Sequence, residues 1–151
     1  MRTVIPVAAF LVLQVSLLPP CAASDNQPPD PEAIAALEAR ANQAQPREQC
    51  FLYAQLVQQM TELSIRQYAA GDMTKATSLL RQVQRIAQKI HVSITGNDKR
   101  LKNAEILLSR TAFRLKEMLQ ESSFEDRPLV EQTLAQVNEA QNATLMQVFQ
   151  K

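Results

Sequence analysis

Tryptophan is absent from this chain of 151 residues and glycine occurs only twice. A chain so poor in glycine offers no loop suited to an oxyanion site, which counts against acyl-transfer chemistry. Histidine occurs once, as His91, and cysteine twice, as Cys21 and Cys50. So few soft ligands cannot complete a four-coordinate zinc shell without carboxylates brought from elsewhere. Neither a Glu-x-x-His spacing nor a Cys-x-x-Cys-His haem-attachment run is present, so no metal and no cofactor is expected.

Charge of one sign is lacking too. The chain carries 16 basic and 15 acidic residues, which leaves no overall electrostatic footprint for nucleic acid. Beyond the first residues, no segment approaches the roughly 18 consecutive apolar residues that a membrane-spanning helix needs.

The beginning of the chain, "MRTVIPVAAFLVLQVSLLPPCAAS", joins one cation, Arg2, to an apolar run from Val4 to Leu18 and then to small residues. That is the layout of a cleaved export signal. Cleavage after Ala23 places Cys21 and Ala23 where signal peptidase needs small side chains, so residues 1–23 read as a signal peptide and the destination as periplasmic or extracellular. The alternative is a lipid anchor on Cys21, against which the preceding "LPP" fits a lipobox badly. Cys50 is then the lone cysteine of the mature chain and cannot form an internal disulfide. In an oxidising compartment it must be buried, paired between chains, or reactive.

What is abundant is Ala, Leu, Gln, Glu, Lys and Arg, residues that lose little rotamer freedom in a helix. Residues 24–30, "SDNQPPD", have nothing to bury and read as a flexible tether. Residues 31–44 form a short accessory helix, with Asp30 as its N-cap and Pro31 at the first helical position. Residues 46–151 form the main domain. There Cys50, Tyr53, Leu56, Val57, Met60, Leu63 and Ser64 recur at helical spacing, ending at Gly71, and Asp72 caps a second helix striped with Ala76, Leu80, Val83, Ile86, Ala87, Ile90 and Ile94. Thr95 with Asp98 resembles a capping box at the next corner, although one long bent helix through Gly96 is the alternative. The third helix aligns Leu101, Ala104, Leu108, Ala112, Leu115 and Leu119, and sets Ile106 and Phe113 on the opposite side, as for a central helix or one that meets another chain. Pro128 lies in the first turn of the last helix, whose stripe is Val130, Leu134, Val137, Leu145 and Val148. Four substantial helices joined by tight corners predict an all-α fold, an antiparallel helical bundle of about four helices.

Leu63, Ser64, Gly71, Asp72, Ala76, Leu80 and Val83 resemble one tetratricopeptide hairpin. Arrays of that family repeat at about 34 residues. One such step forward places Glu105 for Gly71 and Arg110 for Ala76, and one step back places Pro46 for Leu80, so the hairpin stands alone and implies no peptide groove. The run "RLKNAEILLSRTAFRLKEML", with "REQCFLYAQLVQQMTEL" upstream and the leader before it, is similar to a group of small exported bacterial helical proteins. That resemblance implies no activity.

The candidate functional residues follow. Ile106 and Phe113, with the cations Lys99, Arg110 and Arg114 near one face of the third helix, suggest a contact for a protein partner or for self-association. The competing reading is a solvated face whose charges are answered by Glu125, Asp126, Glu131 and Glu139 within the bundle. Cys50 and His91 fall level with one another on facing helices, and a thiolate–imidazolium pair would be nucleophilic. Both can equally pack as ordinary boundary residues. "NAT" at Asn142–Thr144 matches a glycosylation sequon that matters only in a eukaryotic secretory route. The expected function is a non-enzymatic interaction or structural module. A holdase or stress-sensing protein is the alternative, lacking the repeated Leu-Thr-x-x-Gln element of small periplasmic chaperones, and a thiol enzyme is the reading beyond that.

Overall fold

The computed structural model describes residues 29–95 and 99–150. The leader, most of the tether, Cys21 and the Gly96 and Asp98 part of the capping box lie outside the described residues. The described chain is all-α: α1 (Pro31–Gln43), α2 (Pro46–Ala69), α3 (Met73–Ser93), α4 (Lys99–Glu121) and α5 (Arg127–Phe149).

Each start and stop has a local cause. The Asp30 side chain accepts a hydrogen bond from the Glu32 N–H and Pro31 occupies the first turn of α1, where its missing donor leaves nothing unsatisfied. Pro46 and Pro128 do the same for α2 and α5. At the end of α2, Gly71 has φ +81°, a left-handed conformation that a Cβ disfavours. The Gly71 N–H donates to Tyr68 O at 3.0 Å and the Asp72 N–H to Gln67 O at 2.9 Å, the paired bonds of a Schellman turn. Asp72 then caps α3, accepting from the Lys75 N–H at 3.1 Å. The chain therefore reverses over Ala70, Gly71 and Asp72.

α2 and α3 pack as an antiparallel hairpin, and so do α4 and α5. The hairpins then lie side by side in the same sense, α2 against α4 and α3 against α5. Level pairs show the parallel register: Arg100 meets Glu48 and Arg114 meets Glu62, and Gln84 meets Thr133 as His91 meets Glu139. Among the described residues the backbones of α3 and α4 do not come close to one another. They occupy opposite corners of the four-helix square. Consecutive helices thus pack together at the first and last corners, while α3 and α4 lie across the diagonal. The alternative of one bent helix through Gly96 is overturned, since α3 and α4 run in opposite directions on separate sides of the core.

Burial repeats with the hairpins. Cys50, Tyr53, Val57, Met60, Thr61 and Ser64 in α2 are buried, as are Leu101, Ala104, Leu108, Thr111, Ala112 and Leu115 in α4, fifty-one residues further on. Ala76, Val83, Ile86 and Ile90 in α3 correspond to Val130, Val137, Ala140 and Thr144 in α5, fifty-four residues on. Two copies of one amphipathic pattern close a single core between them.

The central helix is α2, not α4. It packs against α1, α3 and α4, and buries Leu52, Ala54 and Thr61 beyond its expected stripe. A helix surrounded by neighbours needs apolar or small residues nearly all round, and Ala54, Thr61 and Ser64 let those neighbours approach. The two apolar sides of α4 instead leave one in water.

Side chains tie both ends of the square. At one end the Ser123 N–H donates to the Tyr68 hydroxyl at 2.8 Å, joining the end of α2 to the α4–α5 corner. At the other, Asn42 Oδ1 of α1 accepts from Tyr53 OH at 3.1 Å and Lys89 Nζ at 3.3 Å. Inside, Ser64 Oγ donates to Ala76 O at 2.9 Å across the α2–α3 hairpin.

Candidate interaction surface

The outward face of α4 is set by its inward one. Leu101, Ala104, Leu108, Ala112 and Leu115 point into the core, so Lys99, Ile106 and Phe113, spaced by seven residues, share the side away from it. Phe113 is 61% exposed and Ile106 45%. Arg110 lies between them, exposed, and among the described residues no ion pair involves it.

Phe113 borders a groove of about 380 Å³ between α4 and α2, whose other lining includes Gln58, Glu62, Arg110 and Arg114. Arg114 is not an available cation of this surface. Its Nε and Nη2 donate to the two carboxylate oxygens of Glu62 at 2.9 and 3.3 Å, and its Nη1 bonds Glu117 on its own helix. Glu62 first, and then Glu117, hold the Arg114 guanidinium above its usual pKa, so it stays charged and turned to α2. Within the groove, Glu62 is thus paired with Arg114, and Arg110 is the cation left beside the Phe113 ring.

The charges of α4 are answered mainly from α2 and not, as the sequence suggests, by Glu125, Asp126 and Glu131. Arg100 Nη1 lies 2.9 Å from Glu48 and Arg114 pairs with Glu62. The reason is the parallel seating of α4 on α2, which no corner in the sequence announces. Glu139 of α5 instead faces His91 of α3, at 3.8 Å. Gln58 and Glu62, the α2 side of the groove, are illegible for the same cause: each helix can be read alone for its stripe, but not for its lateral neighbour.

Cys50 is buried, 3% exposed, on the inner face of α2. His91 is exposed on α3 with its imidazole turned to Glu139 on α5. The two helices are antiparallel neighbours, as their level numbering implies, but the side chains sit in different surroundings, one dry and one wet. Among the described residues no three His, Cys, Asp or Glu side chains converge as a metal ion would require. No described helix is long and apolar enough to cross a membrane.

Comparison of the chain with protein-family models, with curated protein sequences and with solved structures finds no match.

Proposed function

We propose that this protein is a non-enzymatic helical interaction module that works outside the cytoplasm, delivered there by the signal at residues 1–23. Its contact surface is the outward face of α4: Ile106 and Phe113 as apolar anchors, with Lys99 and Arg110 beside them and the groove to α2 as a socket for a partner's side chain. The observation that carries this reading is Phe113. It is a large aromatic left mostly in water on the helix whose Leu108 and Leu115 are fully buried. Aromatic residues flanked by arginine are what binding surfaces concentrate.

The test compares tagged wild type with an Ile106→Asp, Phe113→Asp variant exported in the native cell, by crosslinking, affinity capture and mass spectrometry. The reading expects one specific partner, or one defined oligomer of the chain itself, that is lost in a variant with unchanged helical circular dichroism. A folded variant that keeps every partner and the native oligomeric state would remove α4 from the function. Diffuse capture of unfolded proteins by both would point to a holdase.

A further inference from the structure

A second surface lies on the opposite side of the bundle. α3 has 21 residues and carries Lys75, Arg81, Arg85 and Lys89 without a single Asp or Glu. The other helices mix signs: α1 sets Glu32 and Glu38 against Arg40, and α5 sets Glu131 and Glu139 against Arg127. A face that serves solubility alone is expected to intersperse charges as those do. In a chain with 16 basic and 15 acidic residues, an acid-free helix is a local asymmetry.

The stripe is also geometrically ordered. Arg81, Arg85 and Lys89 follow one another at four-residue steps, so their side chains rise one above the next at about 6 Å along the helix. All three are exposed. Among the described residues no ion pair involves Arg81 or Arg85, and Lys89 rests on neutral groups, Asn42 Oδ1 and the Tyr53 ring 5.6 Å away. The acids nearest the ends are engaged, Asp72 with Lys75 and Glu139 with His91.

The geometry points to the outward face of α3 as a docking site for an acidic segment of another protein, one presenting carboxylates about one helical turn apart. Two planar guanidinium groups match carboxylates in bidentate fashion, and an i, i+4 row of acids repeats at the same spacing. A lipid surface fits less well, because the apolar side of α3 is spent on Leu80, Val83, Ile86 and Ile90 in the core, leaving little but Val92 to enter a bilayer. The site is independent of the α4 surface, from which it faces away.

The experiment uses the full mature chain and poly-L-glutamate as the probe, with phosphatidylglycerol vesicles and single-stranded DNA in parallel. Binding is followed by fluorescence anisotropy at about 50 and 300 mM salt. We expect poly-glutamate binding that weakens with salt, falls at least tenfold in Arg81→Gln, Arg85→Gln, and is unchanged in Ile106→Asp or in Lys99→Gln, Lys102→Gln. Circular dichroism shows whether the variant is folded, as these exposed positions predict. The proposal is overturned if poly-glutamate does not bind, if the Arg81 and Arg85 changes leave binding intact, if the α4 lysines carry it, or if vesicles or DNA bind more tightly.

Discussion

Leu108 and Phe113 stand five residues apart on α4, and the structure assigns them opposite fates. Leu108 is 0% exposed, enclosed where the hairpins meet, so Leu108→Ala removes its transfer free energy and leaves a cavity that the four helices can only partly fill. That costs about 3–5 kcal/mol. Phe113, at 61% exposed, has roughly two-fifths of its surface covered. Since burying a whole phenylalanine is worth about 1.5–3 kcal/mol, Phe113→Ala forfeits about 1 kcal/mol, and alanine's better helix propensity returns a few tenths. The larger side chain is therefore the cheaper to remove.

Urea unfolding of residues 24–151, followed by circular dichroism, measures both. With an m-value of about 1.5 kcal/mol/M, the midpoint shifts by about 2 M or more for Leu108→Ala and by about 0.5 M or less for Phe113→Ala. Equal shifts would refute the reasoning. They would make Phe113 a core residue and take the contact surface away with it. An unchanged m-value in both variants confirms that stability alone has moved.

Three further outcomes follow from local geometry. Gly71→Ala costs about 1–2 kcal/mol in thermal unfolding, purely from forcing an alanine to φ +81°, because a Cβ there meets nothing within 4 Å; no loss would show that the turn can relax. The Lys75 side chain, and then its N–H, hold the Asp72 carboxyl below its usual pKa, so the charged cap stabilises the fold above the unfolded value of about 3.9 and is lost as pH falls through the lower folded value. Wild type and Asp72→Asn should thus differ in melting temperature at neutral pH and converge in acid. A double-mutant cycle on Arg114 and Glu62, whose side chains are 40% and 31% exposed, should give a coupling of only about 0.2–1 kcal/mol that shrinks at high salt.

The sequence carries the local structure almost completely and the lateral packing hardly at all. Asp30, Pro31, Gly71, Asp72 and Pro128 declare their ends because capping and positive φ are properties of a few neighbouring residues. The α3 stripe of Ala76, Leu80, Val83 and Ile90 is equally plain, since one side faces the core and the other water. α2 is harder to read. Buried on several sides, it dilutes its periodicity with Ala54, Thr61 and Ser64, whereas the two apolar sides of α4 fit a central helix as well as one that meets another chain. The exposure of Ile106 and Phe113 could be suspected from their position opposite Leu108 and Leu115, but the Glu62 wall of the groove depends on a parallel pairing of helices a whole hairpin apart.

That pairing also explains why a repeat search at the tetratricopeptide period finds nothing here. The hairpin does recur, but fifty-one to fifty-four residues on, because helices of 21 to 24 residues are about a third to a half longer than a 34-residue unit allows. Translating one hairpin beside another, instead of winding four helices in sequence, puts α3 and α4 at opposite corners. Their outward faces then look in opposite directions, one carrying Ile106 and Phe113, the other cationic and free of acid. Surfaces so separated share no side chain, and changes in each should combine additively in stability to within about 0.5 kcal/mol. The same separation predicts that poly-glutamate on α3 leaves capture through Phe113 undiminished; competition between them would mean that the two faces meet one partner.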